Sequence, residues 1–435
     1  MHAATPLARR TTAHVALVVA VALVACACDR EQDAGTTLRV MNWATDLELT
    51  TEQRIADRFA ARNPHVRVIV ESITTNYGEK LVTAIASGVP PDVFLLDVPD
   101  IPAFVERGLV LDLTPYVERV SYDTAGTFPE VLAVFLRGNQ LYAFPKGFTP
   151  LVVYYNQRLF TELGVPLPPD TGWTQQEFLE TARAVTRDTD GDGRTDIYAV
   201  NFPRQLYEWM PWVWSAGGDI LNPEGTRTLG FLDSEATVQA FEFLTSLVTQ
   251  HRVAPPIQFL RMGDPMRVGR FYIGKQAMLI SGHWHMPRVL SYAERGQLEI
   301  GVAAIPHRAG VDPQTVIYTS GWAVPANVRH KRLAVELAAF LAGEEAQRIR
   351  AAARLEIPSL EAVAREVAAR DTSGVEQAFL RQVPYGRTPW GATVMDFHEI
   401  EELSFDIMDR HLLHGDSLST VASEIARRID QVIAR

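Results

Sequence analysis

From Leu38 onward, short apolar runs alternate with amphipathic stretches. The segment LRVMNW (38–43) reads as a strand. Ile55 and Phe59, four apart behind Thr50 and Gln53 as a capping pair, predict a helix that stops at Arg62-Asn63-Pro64. VRVIVE (66–71) puts Val66, Val68 and Val70 on one face of a second strand. EKLVTAIASG predicts a helix closed by Gly88, and DVFLLD (92–97) is an apolar run of strand length. A β-α-β-α-β order with apolar strands predicts a parallel sheet covered by helices on both faces.

The pattern repeats at longer intervals. Strands are predicted at LYAF (141–144), LVVYYN (151–156), DIYAV (196–200), AMLIS (277–281), LEIGVAA (298–304) and YTSGWAV (318–324). Helices fall between them, one from Thr174 with Glu177 completing a capping box, another from Ser234 to Gln250. After about Arg329 the pattern is almost entirely helical. One early block of three strands, with others scattered later, fits two α/β lobes that exchange chain segments.

WMPWVWSAGGDIL (209–221) concentrates three of the chain's 8 tryptophans in six residues. On a helix Trp209 and Trp212 share a face while Trp214 points away; on a strand Trp212 and Trp214 pair. At most two can line one surface, so at least one of the three is expected to pack inward.

Composition changes the picture mainly at the N-terminus. Arg9 and Arg10 precede an apolar run, Val15 to Ala25, too short to span a bilayer but suited to an export signal. The run ends in Leu23-Val24-Ala25-Cys26, which resembles the lipobox of bacterial lipoproteins: residues 1–25 are expected to be removed, Cys26 lipidated, and 26–37 to form a tether. Cys26 and Cys28 are the only cysteines, so the rest of the chain can build no disulfide, zinc-thiolate site or cysteine nucleophile. About 400 further residues, 47% hydrophobic in the whole chain, predict more than one domain, and a net charge of -11 argues against nucleic acid.

Several segments in order, PDVFLLD, LYAFPKGFTPLVVYYNQRLF, GWTQQEFLETARAVT, MPWVWSAGGDI, GKQAMLISGHW and TSGWAVPA, resemble the extracellular solute-binding proteins of family 1, binding components of bacterial ABC importers for carbohydrates. The resemblance implies a two-lobed, periplasmic-binding-protein-like α/β fold of type II with a ligand cleft between the lobes. One lobe would comprise 38–146 and about 306–354, the other 147–305 and about 355–435. Hinge crossings would fall near Phe144–Pro150, Ile305–Gly310 and Leu355–Ser359. Closure around the ligand would create the form that a membrane permease, driven by a cytoplasmic ATPase, recognises. The resemblance further implies a monomer with no cofactor and no chemistry of its own.

Ligands in open α/β sheets sit at the carboxyl ends of strands. Trp43, Asp97, Trp284 and Trp322 occupy or follow such ends, and the resemblance puts these positions at or near the cleft. A sugar stacks its C–H face on aromatic planes while carboxylates grip its hydroxyls. Tyr77, Phe148, Trp209, Trp212 and Arg387 complete the candidate set; Trp390 shares the late loop with Arg387. Glycerol-3-phosphate or another polyol derivative is the alternative ligand, with Lys146, Arg354 and Arg387 as its phosphate partners.

Other signals carry less. DTDGDGRTD (188–196) spaces Asp188, Asp190, Asp192 and Gly193 like the start of a calcium-binding EF-hand loop, but Ala199 stands where the bidentate Glu is needed. GHWH spaces His283 and His285 two apart without nearby carboxylates or thiols. EIEE (399–402) is expected to face solvent on a helix. No phosphate loop, G-x-S-x-G or H-E-x-x-H occurs. The rivals from other classes are a lipid-anchored polysaccharide-acting enzyme and a metal-binding receptor.

Overall fold

The computed structural model describes residues 35–169, 172–256 and 266–435. The export signal, Cys26 and most of the tether lie outside the described residues. The first strands form as predicted: β1 (Thr36–Asn42) pairs in parallel with β2 (Val66–Ser72) and β3 (Val93–Asp97). The helix between β1 and β2 begins earlier than its expected cap. It spans Asp46–Arg62 with Thr45 as N-cap, and Thr50 lies inside it, its hydroxyl donating to the Asp46 carbonyl.

After a small hairpin of β4 (Leu136–Arg137) and β5 (Gln140–Leu141), the chain enters β6 (Phe144–Pro150) and β7 (Val152–Asn156). The remaining strands are β8 (Tyr198–Val200), β9 (Gln276–Ser281), β10 (Ile300–Ala303), β11 (Thr315–Ala323), β12 (Ile357–Pro358) and β13 (Gly386–Arg387). They form a larger sheet ordered β12-β6-β11-β3-β1-β2, with β13 beside β11, and a smaller one ordered β10-β7-β9-β8. The larger sheet is mixed, because β11 and β12 return antiparallel to their neighbours.

The unbroken apolar run at β7 has a direct cause. Leu151, Val153 and Tyr155 enter one core cluster while Val152 and Tyr154 enter another, so both faces of this strand are buried. The two-lobed architecture follows from three cores. One surrounds β1 to β3 and the helix Lys331–Ala342; the other two flank the smaller sheet.

The chain passes between lobes along paired strands. On β6, Phe144 belongs to the first core and Phe148 to a core of the second lobe; on β11, Val316 and Ile317 lie in the second lobe and Trp322 in the first. Beside β6, β12 places Ile357 in the second lobe's core. The crossing expected at Ile305–Gly310 is therefore displaced to β11. His307 and Arg308 are tied to the second lobe by backbone bonds to Trp173 and Ser215, so the chain has not yet left it.

Candidate functional site

A cleft of about 830 Å³ opens between the lobes. Its floor is the crossing region: Lys146 to Thr149 of β6, Tyr318 to Ser320 of β11, and Leu355 and Glu356 before β12. Trp43 and Asp97, at the ends of β1 and β3, rise on one side; Tyr207, Trp284 and Glu401 rise on the other. The volume lies within the range of small-molecule sites.

The two walls use the chain's only exposed or half-exposed tryptophans. Six of the eight, Trp173, Trp209, Trp212, Trp214, Trp322 and Trp390, are at most 6% accessible; Trp284 is 43% accessible and Trp43 is half-buried. Trp43 is braced edge-on by Tyr77 at 5.0 Å, and the Tyr77 hydroxyl donates to the Met41 and Leu95 carbonyls. Tyr77 thus supports Trp43 from behind and is not among the residues that line the cleft. Trp284 sits on the short 3-10 turn His283–His285 after β9, with its ring folded over Gly282. A Cβ at that glycine would lie 2.4 Å from the indole, so the glycine admits the ring, not a ligand.

Trp284 meets Tyr207 and Tyr318 at centroid distances of 6.2 Å each, and those tyrosines meet each other at 5.6 Å. The interplanar angles of 77°, 67° and 88° make the three rings a corner. Beneath them His283, 1% accessible, faces both Glu376 carboxylate oxygens at 3.2 Å. Arg354, on the approach to β12, holds Glu376 at 2.6 Å, so the turn bearing Trp284 is linked to the third crossing. Burial opposes ionisation of Glu376, but His283 and Arg354 outweigh it and keep its pKa low.

The floor is charged. Lys146, 4% accessible, lies 2.8 Å from Glu356, 3.1 Å from Glu48 and 3.8 Å from Glu52. Burial alone would strip its proton; the three carboxylates reverse that and raise its pKa. Glu52 also takes a bidentate contact from the fully buried Arg350 at 2.6 and 2.7 Å. Asp97 accepts from the Val98 amide at 2.9 Å, and burial, with Asp100 nearby, pushes its pKa up to about 6. Asp100 faces His398 at 3.3 Å and raises its pKa, with Glu401 and Asp97 adding to the effect.

Several sequence assignments need correction. Trp209 and Trp212 are wholly buried, because the helix Leu206–Ser215 is packed on nearly every side; that stretch reaches the cleft through Tyr207 and Met210, three apart on one face. Trp322 is wholly buried under Arg350, whose guanidinium lies 5.6 Å from its ring. The β6–β11 register shifts at Ser320/Gly321, and Tyr318 and Ser320 take the half-exposed positions instead. Gly321 serves core packing, since a Cβ there would meet Phe135 and Ala143.

Arg387 donates to Asp219 at 2.8 Å and covers Trp214 at 4.3 Å, lining a separate cavity of about 510 Å³. Phe148 lines the cleft although it is only 2% accessible. Glu401, in the run assigned to solvent, lines the cleft, while Glu399 and Glu402 are exposed as expected. Tyr207, Tyr318 and Glu401 were the residues missed; the i, i+3 and alternate-residue spacings were the available signal for the first two. In the acidic turn, carboxylate oxygens of Asp188, Asp190 and Asp196 lie within 4.8 Å of one another. Asp192 stands apart from that group, and Ala199 is buried in the core.

A profile of bacterial extracellular solute-binding proteins matches residues 44–348. The chain is 25% identical over 356 residues to the diacetylchitobiose binding protein of Streptomyces coelicolor, covering 79% of this chain and 80% of that one. It is 23% identical over 364 residues to the galactooligosaccharide-binding protein of Bacillus subtilis, 80% of each chain. Its fold matches an ABC substrate-binding protein of Listeria monocytogenes solved with cycloalternan: TM-score 0.81, 23% identity, 92% of this chain and 99% of that one.

Proposed function

The chain belongs to the bacterial extracellular solute-binding protein family, and from that premise we propose that it captures a mono- or oligosaccharide and delivers it to an ABC permease. Membership makes it an exported binding protein and not an enzyme. The observation that carries the sugar reading is the pair of accessible tryptophans, Trp43 and Trp284, one on each wall of the cleft with carboxylates between them. Indole faces stack on the C–H face of a sugar ring, and Asp97 and Glu401 accept from its hydroxyls. The relatives named for diacetylchitobiose and galactooligosaccharide support a carbohydrate of more than one ring.

Ligand bridging both walls favours the closed arrangement of the lobes, and its binding energy sets the size of that shift. The proposal includes a lipid anchor at Cys26, a monomer, and the permease and its ATPase as partners. A phosphorylated polyol fits less well. Lys146 and Arg354 are already held by carboxylates, and Arg387 lies in the second cavity.

The test is thermal melting of the chain from Asp29 onward against sugars, polyols, sugar phosphates and divalent metals. A specific ligand at a hundred times its Kd adds about 2.7 kcal/mol. A large upward shift with one saccharide is expected. A shift with metal alone, or with phosphates alone, would overturn the reading.

A further inference from the structure

Five carboxylates line the cleft, Asp46, Glu48, Asp97, Glu356 and Glu401, against two permanent cations, Lys146 and Arg288. These charges do not cancel locally. Lys146 is already shared by Glu48 and Glu356 and has Glu52 behind it. Arg288 is exposed and lies over the Tyr272 ring at 5.7 Å. His398 is matched to Asp100. Asp46, Asp97 and Glu401 remain, and among the described residues none of them forms an ion pair; Asp46 is exposed, whereas Asp97 and Glu401 are half-buried, and Asp97 accepts the Val98 amide within its own turn.

Both carboxyls sit where a negative charge is costly. Burial is the main cause for each, reinforced by Asp100 at Asp97 and by Glu208 and Glu402 at Glu401, while His398 acts on both in the opposite direction. Both line the same cleft as Tyr318. Tyr318 belongs to the corner with Tyr207 and Trp284. Aromatic walls beside carboxylates that have no ion-pair partner attract a cation twice over, through ring quadrupoles and through charge-assisted hydrogen bonds. A neutral hydroxyl gains a hydrogen bond to the carboxylate without the ion-pair attraction, and a phosphate is repelled.

We propose that the cleft selects a saccharide bearing a protonated amine, an amino sugar with at least one free amino group, and that Asp97 and Glu401 are its specificity-determining residues. The inference rests on the sugar-binding reading above and narrows it to a charge class.

The experiment is titration calorimetry on the purified protein near neutral pH with matched series: glucosamine and its β-linked oligomers, the N-acetylated counterparts, and the corresponding glucose compounds. Free-amine members should bind at least tenfold tighter than their acetylated and hydroxyl partners. That ratio should shrink at high salt and approach one in an Asp97→Asn, Glu401→Gln double variant. Melting of the variant alone establishes that it is folded, and the readout is the ratio of amine to neutral affinity within each protein, not either affinity by itself. Neutral members binding as tightly as amines, or a preference that survives the double variant, would overturn the charge selection while leaving the sugar reading standing. No binding from any series would overturn both.

Discussion

Replacing Asp97 by asparagine should stabilise the protein at neutral pH while leaving it unchanged or slightly weaker in acid. The side-chain amide keeps an oxygen for the Val98 N–H but cannot ionise. In the folded chain the carboxyl titrates at about 6 instead of 3.8, because burial and Asp100 penalise its charge. The folded state therefore binds this proton more tightly than the unfolded state. Its stabilising effect is complete below the unfolded value and is lost as pH rises through about 6. A shift of about two units corresponds to about 3 kcal/mol at 1.36 kcal/mol per unit. One side of the carboxyl faces cleft water, which screens the charge and brings the expected effect to about 1–2 kcal/mol.

The assay is urea denaturation of both proteins at several pH values from about 4 to about 8, taking the difference in unfolding free energy at each. Groups that do not interact with Asp97 titrate alike in both and cancel, while His398, whose raised pKa draws in small part on Asp97, adds a smaller opposite contribution. The difference should move toward the variant by about 1–2 kcal/mol between about pH 4 and about pH 6 and level off above. A difference flat to within a few tenths of a kcal/mol, or drifting toward the wild type with rising pH, would refute the account of Asp97.

Trp284→Ala should weaken sugar binding by about 1–3 kcal/mol, roughly 5- to 150-fold in Kd by calorimetry, as expected for a stacked aromatic face. Trp322→Ala acts elsewhere: with the ring wholly buried, it should cost about 3–5 kcal/mol of stability in urea melts. Any Trp322→Ala protein that remains folded should keep its affinity. Glu52→Gln removes the bidentate partner of the fully buried Arg350, leaving Glu356 at 3.5 Å, and should destabilise by up to about 3–5 kcal/mol, a loss under about 1 kcal/mol counting against the pair. Chelation should leave the melting temperature unchanged, since the turn's carboxylates already accept backbone amides from Gly191, Gly193 and Thr189.

Most strands were legible in the sequence because burial on one or both faces writes itself as alternation or as an apolar run, with β2 and β7 as the two cases; LYAF (141–144) was read as a strand, but Tyr142 and Ala143 lie between β5 and β6, and β6 itself was read only as a crossing. The capping box at Thr174 was readable for a similar local reason, and it forms with both of its hydrogen bonds. The cleft was harder to read. Trp209 and Trp284 look alike in a sequence, yet one is enclosed by the helix Glu235–Thr249 and its neighbours while the other stands on a turn over a glycine. Chain-distant packing decides that difference. Glu401 was missed because its run is predominantly solvent-facing and only its position along the helix turns it inward. The crossing on β11 was misplaced because a strand shared by two cores has no compositional boundary.

The ion pair between Arg354 and Glu376, with His283 on its other side, carries a consequence for how such a protein changes over evolutionary time. The aromatic platform hangs from a residue in the segment between lobes, so its tilt is set at a distance from the ligand. Substitutions around Arg354 or Asp371 can re-aim Trp284 without altering any side chain that touches a sugar. Drift in ligand preference within such a lineage would then accumulate behind an unchanged cleft surface, invisible to a comparison of contact residues alone.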